Sequence, residues 1–453
     1  MIKSLYRSII SIFVIGLIVI AAACGSDEDR NRKNGTSQPP EPDTNAAPID
    51  QIAERFVKLA LNIGQYDKDF VDAYQGPEAW MAEAKANPRA LTTLLLDARG
   101  LMNELRSLPD NVDTDRRTML EKQVIAAMTR IEMTRGNFYP FDEETRLLYD
   151  AVAPDYDLIQ FDEVLFEIDQ LLPGTGTVAD RVDAFRETLA IPKAKLKTVF
   201  DAAIAECRRR TLTHYDLPAG ETFRLEFVTD KPWSGYNWYQ GGFESLIQVN
   251  TDFPIIIDRA VDLGCHEGYP GHHTWNVLLE RDVLKGKGWI EYAVYPLFSP
   301  LSVTAEGSAN YGIDLAFPGD EKIAFERENL FPLAGLDPAA ADTLATLNAL
   351  RARLSHARNH VARAYLDGDI TREEAIVMSM KYNLMSRDRA EQSVAFTETY
   401  RGYVINYNLG KEIVSDYIDA AVAQGEDRWA AFEHVLRTPS TASGIKALTQ
   451  AAN

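Results

Sequence analysis

Apolar positions recur every three or four residues along most of this chain, which is the period of a helix with one buried face. Segments such as IAERFVKLALNIG, LTTLLLDARGLMNELRSL and RRTMLEKQVIAAMTRIEM carry the pattern through residues 49–213. Pro154, Pro173 and the glycines at 174 and 176 punctuate it without marking a domain break. The middle of the chain differs. TFRLEFVTD and FESLIQVNT are short, β-branched and aromatic, and they flank the glycine- and aromatic-rich WSGYNWYQGG, so a small sheet or hairpin is expected there. DFPIIIDRAVDLGCHEG then returns to helical spacing. After residue 337 ADTLATLNALRARLSHARNHVARAYL reads as one long helix, and TREE at 371–374 as the capping box that starts the next. The pattern predicts a mainly α fold: one large helical domain over residues 49–453, with strands confined to the neighbourhood of a candidate cleft.

Composition agrees with a globular chain: 453 residues, 46% hydrophobic and 25% charged. A formal net charge of -20 lacks the basic footprint that nucleic acid or an anionic membrane surface requires, so no nucleic-acid partner is expected. The first residues change the picture. Lys3 and Arg7 precede an apolar run at 9–20 and the small residues AAAC at 21–24, the layout of an export signal. The run is shorter than the ~20 residues that a membrane helix needs. Small residues ending in cysteine resemble a bacterial lipobox. Cleavage after a signal at 1–23 leaves Cys24 as the lipidated first residue, and the polar, proline-rich segment 24–48 as a flexible tether. The expected location is the cell envelope, on the periplasmic face. Gly25 and Ser26 lack the aspartate associated with inner-membrane retention, which favours the outer membrane. Cys207 and Cys265 remain, too few for a disulfide framework. One disulfide is open to an exported protein, but the position of Cys265 beside His266 favours two free, structural thiols.

The candidate chemistry lies in GCHEGYPGHHTWN at 264–276, which holds three of the chain's seven histidines and a glutamate. A zinc hydrolase of the HExxH kind needs two imidazoles one helical turn apart, with the intervening glutamate placed to take a proton from water at the metal. Here His266 and Glu267 begin such a motif, but His272 and His273 follow only six and seven residues later. On an unbroken helix the sixth position points ~120° away and the seventh lies ~10.5 Å up the axis. Gly268, Pro270 and Gly271 continue a helix poorly, so a bulge or loop must interrupt it after Glu267 and restart it near Gly271. That brings His272, with His273 as the alternative, to the second ligand position. The regular pair His356 and His360 sits among Arg351, Arg353, Arg358 and Arg363 and reads as a solvated or salt-bridged helix face.

HEGYPGHH followed by EGSANYG at 306–312 resembles the bacterial domain-of-unknown-function family 885, which carries HEGYPGHH and E-G-x-A-x-Y and is grouped with the zincin-like metallopeptidases. The second motif supplies Glu306, Gly307, Ala309 and Tyr311. The resemblance implies a large helical zincin-like domain with a small sheet beside the cleft, zinc as cofactor, and Glu306 as third ligand. Gly307 and Ala309 would let that helix pack tightly beneath the metal. TYRGYVINYNLGKEI resembles the family's last segment, with Arg401 and Tyr403 standing where proline and glutamine are expected. It implies Tyr407 as a donor to the developing oxyanion and Arg401 as a clamp for a substrate carboxylate. The family's Asp-x-Gly-Leu-His stretch is replaced by ARAYL at 362–366. Tyr311, Tyr236 and Trp238 are candidate walls for a bound peptide, with FESLIQVNT as the edge strand that would pair with it.

Two functions from different classes follow. The first is a lipid-anchored zinc metallopeptidase acting on short peptides, with Glu267 and Tyr407 catalytic and His266, His272 and Glu306 on the metal. The second is a non-catalytic envelope protein that captures peptides or metal on the same scaffold. Hydrolysis of amides or esters other than peptides is a third outcome of the same chemistry.

Overall fold

The helical period is realised almost throughout the computed structural model, which describes residues 47–452 apart from Pro232 and Pro439. The signal at 1–23, Cys24 and nearly all of the segment 24–48 lie outside the described residues. Helices begin at Pro48–Ile63, where Pro48 takes a first-turn position at which no N–H is needed. Residues 47–452 belong to one contact unit. Its largest apolar core joins the N-terminal helices to Leu301–Ala316 and Ile405–Ala423. A second core surrounds the motif region. The architecture is mainly helical with small sheets. Thr371 and Glu374 form the expected capping box, and no helix among the described residues is long and apolar enough to cross a membrane.

Three strands make the central sheet: β2 (Thr222–Val228), β3 (Gly235–Gly241) and β4 (Glu244–Asn250), in the order β2-β4-β3. β3 is antiparallel to β4 and β2 parallel to it. The glycine- and aromatic-rich stretch is therefore itself a strand. FESLIQVNT is central in the sheet, so the edge next to the motif is β3, a correction to the sequence reading. Strands are not confined to the motif's neighbourhood in sequence either. β1 (Val71–Tyr74) lies among the N-terminal helices and pairs antiparallel with β5 (Val294–Pro296). Arg116, held by Glu291 at 2.6 Å and by Asp50 at 2.7 Å, locks those helices to the turn preceding β5. The predicted long helix is two, Ala341–Arg353 and Ala357–Leu366. The Ser355 carbonyl in the break accepts from Asn408 Nδ2 at 2.9 Å, a tertiary partner that helical period does not reveal.

Candidate metal centre

The helix entering the motif, Arg259–Leu263, widens into a π turn at Gly264–Gly268 and stops at the cis peptide Tyr269-Pro270. A new helix, His272–Leu278, starts at once. Gly271 is required by the crossing: a Cβ there would lie 1.9 Å from the His266 carbonyl oxygen. The interruption turns the two imidazoles toward each other, with ring centroids 4.7 Å apart and planes at 90°. Six residues of separation thus do the work of one helical turn.

Cys265 is disulfide-bonded to Cys207 on Leu196–Thr211, with Cα atoms 5.6 Å apart. The expectation of two free thiols is corrected. The residues lie 58 apart in sequence, and only the packing of that helix against the π turn brings them together. The bond fixes the backbone one residue before His266.

Glu306 reaches the histidines from Leu301–Ala316. Its Oε2 lies 3.3 Å from His266 Nε2 and 3.7 Å from His272 Nε2, and one ligand atom from each residue falls within 4.8 Å of the others. Small residues permit this approach: a Cβ on Gly307 would stand 2.4 Å from the Gly410 carbonyl oxygen of Ile405–Ala423. The surrounding partners orient the set. Asn310 Oδ1 lies 3.1 Å from His266 Nδ1, and Asn310 Nδ2 donates to the Tyr407 carbonyl at 3.1 Å. Tyr403 donates to Glu306 Oε1 at 2.8 Å. Glu306 Oε2 is buried without a hydrogen bond. Two nitrogens and a carboxylate oxygen that accepts no hydrogen bond, converging from three residues, fit a metal ion of the kind imidazole and carboxylate bind, zinc among them. His273 points elsewhere. Fully buried, it holds Ser245 Oγ at 2.8 Å through Nδ1 and Glu221 Oε2 at 2.9 Å through Nε2.

Charge at this centre is set by burial and by neighbours. Burial opposes ionisation of Glu306, yet His266 and His272 outweigh it and hold its carboxyl well below the usual range. Burial likewise works against a charged His272, but Glu306, Glu267 and Asp72 raise its pKa. Glu267 is 4% exposed, and burial raises its carboxyl against the pull of both histidines. β3 packs directly on it. Asn237 Nδ2 donates to its carbonyl at 2.7 Å, and a Cβ on Gly235 would lie 2.8 Å from its Oε1.

The other candidates separate. Tyr407 faces the centre, with burial, Glu306 and Glu267 raising its hydroxyl pKa while Arg358 opposes. Arg401 does not present a free clamp, since its Nε is tied to buried Glu144 at 2.7 Å and its guanidinium stacks on Phe138 at 4.8 Å. Tyr311 is buried against Phe432 on the far side of its helix. Tyr236 and Trp238 share the outer face of β3, away from Glu267; Trp238 is 43% exposed. His356 bonds Tyr156 at 2.8 Å and Glu412 at 2.5 Å, in keeping with a paired helix face.

Two charged groups near the centre escaped the sequence reading. Arg358 has no ion pair among the described residues: its Nε is buried and unpartnered, and its guanidinium lies 4.8 Å from the Phe396 ring and 5.7 Å from that of Tyr407. Burial lowers its pKa, while Tyr407 and Glu306 act the other way. Asp72, on β1, interacts with His272 and Glu306; burial pushes its carboxyl up to about 7, with His272 opposing. Arg358 sat unremarkably among other arginines, and nothing local marks Asp72.

No family model matches the chain, and no curated protein is similar to it in sequence. Solved structures are similar in fold. A Colwellia psychrerythraea protein described as a lipoprotein superposes with a TM-score of 0.52 at 17% identity, covering 91% of this chain and 77% of that one. A Shewanella oneidensis protein of unknown function, also described as a lipoprotein, gives 0.40 at 13% over 90% and 79%. Trypanosoma cruzi metallocarboxypeptidase 1 gives 0.43 at 14% over 89% and 90%. At 17% identity the likeness to the Colwellia protein is one of fold.

Proposed function

We propose that this chain is a zinc-dependent hydrolase of short peptides belonging to the HEGYPGHH family, exported and lipid-anchored through Cys24. The observation that carries the reading is the convergence of His266, His272 and Glu306 around the unpartnered Oε2 of Glu306. Zinc held by His266, His272 and Glu306 would supply a Lewis acid to polarise a peptide carbonyl and acidify water. Glu267, buried between β3 and the histidines, takes the proton of the attacking water and returns it to the leaving nitrogen as the C–N bond breaks. Its raised pKa suits a group that must both accept and donate. Tyr407 offers its hydroxyl to the oxygen on which negative charge grows. Arg358 replaces Arg401 as the partner for a substrate carboxylate, because its guanidinium alone of the two lacks an anion of its own. The free edge of β3 is suited to pair with an extended peptide. The disulfide is in keeping with an oxidising envelope compartment.

The test is metal content alongside hydrolysis of a peptide library. Wild type should hold one zinc per chain, lost in His266→Ala, His272→Ala and Glu306→Ala. Glu267→Gln should retain zinc and lose at least about a hundredfold in hydrolysis. Undiminished activity in Glu267→Gln would overturn the mechanism. Zinc binding without cleavage of any peptide would leave the non-catalytic binding lipoprotein as the better reading.

A further inference from the structure

Asp72 is left unexplained by the centre as described. It lies on β1, and the β1–β5 register shows why it is there. Val71 pairs with Pro296 and Ala73 with Tyr295, so two residues of β1 advance against one of β5 and Asp72 is the extra residue of a β-bulge. A bulge re-aims a side chain out of the regular alternation, and bulges gather beside active sites for that reason. Here the carboxyl comes into the field of His272 and Glu306. Among the described residues it makes no hydrogen bond and no ion pair. Its anionic neighbours, Glu306 and Asp69, repel it. A carboxylate in low dielectric without a donor is relieved by taking up a proton, by a charged His272 beside it, or by a cation brought in by a ligand.

Arg358 presents the same situation with the opposite sign. Both groups interact with Glu306, but neither is among the other's electrostatic partners. They approach Glu306 from different elements, Asp72 from β1 and Arg358 from the helix Ala357–Leu366. Two unpaired charges of opposite sign flanking one hydrolytic centre match a ligand that carries both charges itself.

We propose that Asp72 binds the free α-ammonium group of the substrate, making it a specificity residue for short peptides with an unblocked N-terminus. The proposal rests on the peptidase reading above and deepens it. With Arg358 on the carboxylate and Asp72 on the amine, the centre measures the distance between the two ends of a peptide. Long or N-blocked chains are then excluded by charge as well as by length. No proton or electron is transferred at Asp72.

The experiment uses the zinc-loaded protein with alanyl-phenylalanine and N-acetyl-alanyl-phenylalanine, measuring binding by calorimetry and kcat/KM by release of phenylalanine. Wild type is expected to prefer the free peptide at least tenfold in both. Asp72→Asn should bring that ratio to near one while retaining zinc, and Asp72→Glu should restore part of it. Equal handling of the two peptides by wild type overturns the assignment and leaves the peptidase reading standing. So does an unchanged ratio in Asp72→Asn. Loss of zinc in Asp72→Asn with the ratio intact would make Asp72 a positioning group for His272 instead, which also overturns it. Neither binding nor cleavage of either peptide by zinc-loaded wild type would remove the peptidase reading and this inference together.

Discussion

Adjacent histidines with opposite duties offer a sharp test of the structure. Removing His273 deletes two buried hydrogen bonds, at 2.8 Å to Ser245 and 2.9 Å to Glu221, and leaves a hole at a site with no solvent exposure. Glu221 keeps Arg208 at 2.5 Å and the Tyr269 hydroxyl at 2.5 Å. It is thus not wholly stranded, and the cost falls near the low end of the 3–5 kcal/mol seen on breaking buried pairs, about 3 kcal/mol for His273→Ala. With an unfolding entropy of roughly 2 cal/mol/K per residue over about 400 residues, that is a fall in Tm of about 3–4 °C. His272→Ala removes no comparable network. Measured with chelator present, its stability should lie within about 1 kcal/mol of wild type. Its zinc affinity should fall by more than the roughly 10–100-fold that accompanies loss of an outer-shell partner. His273→Ala should retain near-wild-type zinc affinity. Thermal unfolding with chelator and zinc titration at a permissive temperature separate the two variants. Loss of zinc in His273→Ala, with His272→Ala binding normally, would refute the register derived from the π turn and the Gly271 restart.

Gly307→Ala should destabilise by about 1–3 kcal/mol, because its Cβ meets the Gly410 carbonyl oxygen at 2.4 Å. Since Glu306 moves with that helix, zinc affinity should fall as well; unaltered unfolding and zinc binding would count against the close helix crossing. Glu326, pushed up to about 8 by burial despite Lys322, is protonated in the fold between its unfolded and folded pKa values, and its contribution to stability declines as pH rises through that window. Glu326→Gln should therefore raise Tm more at pH 8 than at pH 5; an equal effect at both values contradicts the assignment. Opening the Cys207–Cys265 bond, with its separation of 58 residues, should cost about 4 kcal/mol on the chain-entropy account. Denaturant unfolding of Cys207→Ser with Cys265→Ser against wild type measures that loss, and no loss in the double variant would show that the bond contributes nothing to stability.

The sequence by itself determined what local spacing encodes. Apolar period specified the helices, composition specified a globular acidic chain, and the Gly-Tyr-Pro-Gly insertion between Glu267 and His272 required an interrupted helix whatever surrounds it. Glu306 was reached only through the resemblance of EGSANYG to a family motif, since a glutamate beside small residues is by itself unremarkable. What only the tertiary structure decided are pairings between distant segments. That His272 and not His273 lies beside His266 and Glu306 depended on Glu221 and Ser245 holding the latter; the Cys207–Cys265 bond depended on one helix lying against the π turn. Arg401 proved bound to Glu144, 257 positions away, while Arg358 has no anionic partner among the described residues. β1 was missed because four residues carry too little periodicity to stand out, and its partner lies beyond residue 290. Asp72 joins the centre only through a bulge in that pairing. Periodicity reports which face of an element is buried, but not what is buried against it, and the chemistry of a site lies in the second.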